Sequence, residues 1–204
     1  MGSVNSNILE FIGEGRDAPL YYYTDLQSST KIVKSNYIKN AQKANVGSDD
    51  GVLRPFISFS RSKHGAPDVS KEIRFTLNQR KLSHKYKIVP RADINYRDRV
   101  RNNEQEEVIF TDRVDLKTYC MEVDFFDYPD YILQFVEQAI KELETTKGLP
   151  QRGFGGSYRP TYFEEINFLH VVLKSGLPIG KKLKHYCDLY KKHSRYVKGV
   201  YGKI

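Results

Sequence analysis

Three stretches of this 204-residue chain combine polar groups able to do chemistry with strand-forming neighbours. The most telling is Glu104-Gln105-Glu106-Glu107-Val108-Ile109-Phe110, an acidic cluster running directly into an apolar, β-prone run. A strand alternates faces at every residue, so Gln105 and Glu107 share one face and Glu104 and Glu106 the other. A carboxylate held inward or in a cleft costs free energy unless it is paired or put to use. The second stretch, Phe56-Ile57-Ser58-Phe59-Ser60-Arg61, sets two hydroxyls among aromatic and aliphatic side chains. Serines in such a strand either satisfy backbone groups or position a polar ligand. The third, Leu20-Tyr21-Tyr22-Tyr23-Thr24-Asp25, is an aromatic strand entering a helix; read alone it is a core strand sooner than a binding one.

The elements that must position these groups follow from periodicity and turn chemistry. A short amphipathic helix is expected over 7–13, strands over 20–24, 55–60, 72–77, 85–90, 106–110 and 117–123, and a turn over 78–81. Asp25 or Ser28 is expected to cap a helix over 26–35 with Ile32 and Val33 inward. Residues 40–54 and 148–158 read as loops, and 91–105 as a polar linker. Past Pro129 the period becomes helical, with helices expected over 131–144, 163–173 and 183–197. The outcome is an α+β chain: an N-terminal segment 1–17, a β-rich core 18–125 and a helical, basic C-terminal region 126–204.

Composition narrows the setting. The 39% hydrophobic content, with 15 Tyr and 11 Phe, describes a chain that folds around a core. No apolar run approaches the roughly 20 residues a bilayer span needs, so no membrane association is expected. The N-terminus lacks the basic and apolar regions of a signal peptide, and Gly2 with Ser6 matches a myristoylation pattern only formally. Cys120 and Cys187 read as free thiols in a reducing compartment, hence a cytoplasmic protein. His185 and Cys187 lie two apart without a second ligand pair, so no metal site is expected.

The net charge of +8 is localised. Nine of the 33 basic residues but one of the 25 acidic ones, Asp188, lie from Lys174 onward, leaving 24 of each before it. Tyr186, Tyr190 and Tyr196 interleave with Lys and Arg there, which suits a nucleic-acid backbone and its bases. A solvated charged face with the tyrosines packed inward is the competing reading.

Taken in order, the three stretches resemble the ADP-ribosyltransferase superfamily. There a first strand carries Arg or His in a Tyr-Arg/His-x-Thr-like context, a second an aromatic-x-Ser-Thr-Ser element, and a later one Glu/Gln-x-Glu followed by Val-Leu or similar. Tyr21-Tyr22-Tyr23-Thr24, Phe56-Ile57-Ser58-Phe59-Ser60 and Gln105-Glu106-Glu107-Val108-Ile109 stand in those places, with Phe59 for Thr. Residues 81–90, Lys-Leu-Ser-His-Lys-Tyr-Lys-Ile-Val-Pro, resemble bacteriophage members of the superfamily; DarT-type DNA-modifying toxins are a more distant likeness. The resemblance covers about residues 18–125.

It implies a split β-sandwich core with a C-terminal helical appendage, and transfer of ADP-ribose from NAD to a protein or nucleic-acid acceptor by a phage-encoded modifier of host defence or machinery. No metal is implied. Glu107 would stabilise the oxocarbenium-like transition state, Gln105 would sit beside the acceptor, and Ser58 and Ser60 would hold the nicotinamide-ribose region. Arg61 would meet the NAD diphosphate, and Tyr22, Tyr23 and Thr24 would complete the cofactor-binding set. Glu107 is preferred because Val108-Ile109 follow it directly; in the other register, Glu104-x-Glu106, Glu106 is catalytic. Tyr22 departs from the family: it can bond a ribose hydroxyl or stack, but brings no positive charge, which shifts anion binding to Arg61 or Arg54. A catalytically inactive binding module, an NAD glycohydrolase and an RNA 2′-phosphotransferase are the alternatives the same resemblance allows.

Overall fold

The computed structural model describes residues 18–40, 56–61, 63, 70–90, 106–146 and 162–193. The expected helix 7–13, the linker 91–105, the loop 148–158 and nearly all of the loop 40–54 lie outside them. The described strands are β1 (Leu20–Thr24), β2 (Tyr37–Lys39), β3 (Ile57–Ser60), β4 (Ile73–Leu77), β5 (Ile88–Pro90), β6 (Glu106–Ile109), β7 (Arg113–Asp115) and β8 (Cys120–Phe125). The described helices are α1 (Leu26–Ser35), α2 (Gln79–Ser83), α3 (Leu116–Tyr119), α4 (Asp130–Thr146), α5 (Phe163–Ser175) and α6 (Lys181–His193). The chain is therefore α+β. A six-stranded sheet has the order β5-β6-β3-β1-β4-β8, and β2 pairs with β7 in a separate ribbon. The β5–β6, β6–β3 and β3–β1 pairs are antiparallel.

Two compact units divide the chain, with β4 and β8 each contributing residues to both. The first unit holds β1 through Tyr23, β2, β3, β5, β6, β7, α2 and α3. Its core is Leu20, Ile57, Phe59, Phe75, Leu77, Leu82 and Ile109. Asn36 closes the β2–β7 ribbon from a left-handed conformation, φ 62°, which asparagine tolerates better than most residues. Its Nδ2 donates to Asp115 Oδ2 (2.8 Å) and its Oδ1 accepts from Lys117 N (3.1 Å).

Local chemistry explains three departures from the expected elements. Where a turn was expected at 78–81, Asn78 Oδ1 accepts from Lys81 N (2.9 Å) and starts α2, whose Leu82 is buried. Residues 84–87 are not extended as the expected strand 85–90 required: Tyr86 N bonds back to Leu82 O (2.8 Å), and β5 begins only at Ile88. The strand expected over 117–123 is α3 followed by β8, because Asp115 Oδ1 caps a helical turn through Thr118 N (2.8 Å). The ribbon strands β2 and β7, three residues each, were not anticipated.

The second unit contains α1, α4, α5, α6 and Glu122–Phe125 of β8. Asp25 Oδ1 caps α1 through Ser28 N (2.6 Å), and Glu72 Oε2 accepts from Leu26 N (2.7 Å). The buried stripe of α1 is Leu26, Ser29, Thr30 and Val33, with Ile32 half-buried. Both hydroxyls in it bond back to Leu26 O, so their burial leaves them satisfied. Helix α5 ends at Gly176, φ 70°, the left-handed position where a missing Cβ removes the strain. The segment after it bridges β8: Val123 N donates to Pro178 O (2.9 Å) and Gly180 N to Val123 O (2.8 Å). Buried Asp124 then supplies the cap of α6, accepting from Leu183 N (2.6 Å) and Lys182 N (3.3 Å).

Candidate functional site: the β6–β3–β1 strands

The three stretches that carry chemistry in the sequence are consecutive neighbours in the sheet, β6 beside β3 and β3 beside β1. Register decides which side chains meet. Ser60 pairs with Glu106, Phe59 with Glu107, Ser58 with Val108 and Ile57 with Ile109. Directly opposed residues share a face. Ser58, Ser60 and Glu106 therefore lie on one side of the sheet, and Phe59, Glu107, Ile57 and Ile109 on the other. Tyr21 pairs with Ser60 and so joins the first side.

The first side is partly open and mixes polar groups with buried Val108, the partner of Ser58, and buried Tyr23. Ser58, Glu106 and Tyr21 are half-buried and Ser60 is buried. Ser58 Oγ donates to Glu106 Oε1 across the two strands. The oxygen that accepts this proton is a carboxylate oxygen, so the hydroxyl orients the Glu106 carboxylate. Tyr21 and Tyr23 stand two apart on β1 with ring centroids 6.3 Å apart, and the Tyr23 hydroxyl donates to Lys63 O (2.7 Å).

The second side is the core. Ile57, Phe59 and Ile109 are at most 2% exposed, and Glu107 among them is 4% exposed. Tyr22 packs here with its ring edge against Phe59 (6.0 Å) and tilted against Phe75 (6.4 Å). Arg61, one residue past β3, brings Nε to 2.6 Å from Glu107 Oε1. Burial pushes the Glu107 carboxyl above its ordinary range, and the Arg61 guanidinium opposes this without cancelling it. The pair is incompletely hydrogen-bonded. Arg61 Nε touches Oε1 alone, and Glu107 Oε2 has no hydrogen-bond partner among the described residues.

The structure thus brings Ser58 and Ser60 together with Glu106 and Tyr21, and separates them from Glu107, Tyr22 and Arg61. The expected grouping of both serines with Glu107 is not found, because a one-residue difference in register exchanges the faces of adjacent carboxylates. Thr24, the last residue of β1, is buried. Gln105, Glu104 and Arg54 lie outside the described residues. Tyr21 was not singled out from the sequence; only its pairing with Ser60 assigns it to this side.

In the basic segment, Tyr190 is buried and its hydroxyl lies 3.0 Å from His170 Nδ1, while Tyr186 packs edge-on against Phe125 (5.9 Å). Tyr190 thus serves the interior of the second unit, and Tyr186 is half-buried against it. Lys182 pairs with Asp130 (2.6 Å), and Lys184 and Lys191 with Asp188. Tyr196 lies outside the described residues. Both cysteines are free thiols and buried, and burial raises the Cys187 thiol to about 12, which makes it unreactive. Among the described residues no three His, Cys, Asp or Glu side chains cluster as metal ligands, and no helix is long and apolar enough to cross a membrane.

No protein-family model matches the chain, and no curated protein or solved structure matches it either.

Proposed function

We propose that this chain transfers ADP-ribose from NAD to a macromolecular acceptor, with release of nicotinamide. The observation that carries the reading is the adjacency of β6, β3 and β1, which sets the three stretches resembling the ADP-ribosyltransferase motifs side by side in the sheet, with Ser58 donating to Glu106 across two of them.

In this reading the bond between ribose C1′ and the nicotinamide nitrogen breaks. Its electron pair neutralises the pyridinium nitrogen, and the acceptor nucleophile bonds C1′ and loses a proton. Positive charge develops on the ribose, and a pre-oriented carboxylate beside it lowers the barrier. Glu106 is assigned that role because it is half-buried on the partly open face with Ser58, Ser60 and Tyr21, whereas Glu107 lies among core side chains. Ser58 holds the Glu106 carboxylate, and Tyr21 and Ser60 line the ribose side. In this register the residue two places before Glu106, Glu104, takes the acceptor-side role that Gln105 has in the other.

A binding module that keeps the fold without turnover is the second reading. It is favoured by Tyr22, which stands where the family carries a cation and packs against Phe59 and Phe75. Incubation with NAD labelled on the adenylate half, in lysate, separates the two. Transfer of label to protein or nucleic acid supports the enzyme, and saturable NAD binding without label transfer supports the binding module.

A further inference from the structure

We propose that the α2–β5 segment and the exposed ring of Phe110 form a binding surface for single-stranded nucleic acid. The surface stands on its own; that the bound strand is also the ADP-ribose acceptor rests on the transfer reading.

Charge points there first. From Asn78 to Pro90 the chain carries Arg80, Lys81, Lys85 and Lys87 and no aspartate or glutamate. The first 173 residues balance overall, with 24 basic and 24 acidic residues, so this run is a local excess. Buried Leu82 anchors α2 and leaves the lysines around it outside. Lys81, Lys85 and Lys87 are exposed, and none has an ion pair among the described residues. Lys85 Nζ rests 5.3 Å from the centre of the Tyr86 ring, which leaves its charge in place. In α6, by contrast, Lys182, Lys184 and Lys191 each meet an aspartate.

A second pair of cations follows Phe110 in the chain. Arg113 of β7 stands directly opposite Lys39 of β2. Both are exposed, and neither has an ion pair among the described residues. Like charges directly opposed across two strands cost stability, and a polyanion lying over them removes that cost.

An acidic protein would satisfy these cations equally well; the aromatic groups favour a base. Ile109 pairs with Ile57 on one side and Ile88 on the other. Carried one residue on, both pairings set Phe56, Phe110 and Lys87 in a row across β3, β6 and β5. The Phe56 and Phe110 rings meet edge to face at 6.3 Å, and Phe110 is 46% exposed. A ring beside a lysine offers a stacking partner to a base and a countercharge to its phosphate, the combination that single strands use. Alternation puts Phe110 on the same face of the sheet as Glu106, four residues or about 13 Å along β6. About four stacked nucleotides, at about 3.4 Å each, span that distance, so one strand reaches both.

The test follows the fluorescence anisotropy of a dye-labelled, mixed-sequence single strand, DNA and RNA in separate arms, with the matching duplex and polyglutamate as competitors. All the side chains substituted are exposed, so the variants keep the fold. Wild type is expected to bind the single strand at least about tenfold more tightly than either competitor. Lys81→Gln, Lys85→Gln and Lys87→Gln combined should weaken binding and flatten the dependence of log affinity on log salt by about 2, at about 0.7 per phosphate contact. Phe110→Leu should bind about tenfold more weakly at an unchanged salt slope, whereas Phe110→Tyr, which keeps a ring, should bind as wild type does. Lys181→Gln with Lys192→Gln, on α6, should leave binding unchanged. No binding by wild type, competitors bound equally well, or losses that follow the α6 pair instead overturn the proposal. Adding NAD labelled on its adenylate half tests the acceptor: label on the strand supports it, and nicotinamide release without label on the strand overturns it. Binding with the expected losses but no nicotinamide release upholds the surface and removes the NAD reading instead.

Discussion

Replacing Gly180 by alanine sets a new methyl group against the capping carboxylate of α6. A Cβ at this position would lie 2.2 Å from Asp124 Oδ2, 2.4 Å from its Cγ and 2.6 Å from its Cβ. The carboxylate has no room to yield, because Oδ1 is bonded to Leu183 N and Oδ2 to Lys182 N. Either Asp124 leaves the helix terminus or the 178–180 segment pulls away from β8 and breaks the bonds of Val123 N and Gly180 N. Loss of a cap costs about 1–2 kcal/mol, and a buried polar group left unpaired about 1–3 more. The expected destabilisation is therefore about 2–5 kcal/mol, read by urea unfolding followed by circular dichroism.

A cycle isolates the cause. Asp124→Ala alone should cost about 1–2 kcal/mol, the value of the cap. Gly180→Ala made on the Asp124→Ala background should cost about 1–2 kcal/mol less than it does in wild type, because two of the three clashing atoms and the cap are already gone. Strict additivity, or a Gly180→Ala variant within about 0.5 kcal/mol of wild type, would refute the proposed lock between β8 and α6.

Three further perturbations have defined outcomes. Burial, with Lys174 and Lys34 nearby, holds the His170 imidazole below its usual pKa; its contribution to stability is therefore complete above about pH 6.5 and is lost as pH falls through the depressed folded value. Subtracting the His170→Asn profile from that of wild type should isolate this acid-side loss, and parallel profiles would contradict it. Asn36→Ala loses the bonds to Asp115 and Lys117 and strains a left-handed backbone, for about 2–3 kcal/mol. Asn36→Gly should cost less, and an equal or larger loss with glycine would show that the backbone conformation is not the issue. Tyr186→Ala should lower stability by about 2 kcal/mol through its lost contact with Phe125; unchanged stability with reduced nucleic-acid binding would return this ring to the surface.

What could be read from the sequence divides along physical lines. The long helices were legible because their apolar period repeats over many residues: α4, expected over 131–144, runs Asp130–Thr146. Strands rich in aromatic and β-branched residues, β1 and β3, were legible for the same reason of local preference. Residues 117–119 were not, because the alternation of Lys117, Thr118 and Tyr119 suits a strand and a single cap from Asp115 overrides it. At the candidate site, the residues could be named but their sides could not. Val108 and Ile109 are both buried, so the β6 pattern does not reveal which face is core, and the split between Glu106 and Glu107 depends on pairing with a strand 48 residues away. The Asp124–Gly180 contact is likewise long-range, and no local signal marks either residue as half of a lock.

The central claim, an NAD-cleaving site organised around Glu106, is tested most directly by measuring nicotinamide release from NAD by purified wild type and Glu106→Gln side by side. Wild type is expected to release nicotinamide steadily and the variant at least about a hundredfold more slowly, the scale expected when one electrostatic stabiliser of the transition state is removed. Release at equal rates by both proteins, or none from wild type, would contradict it.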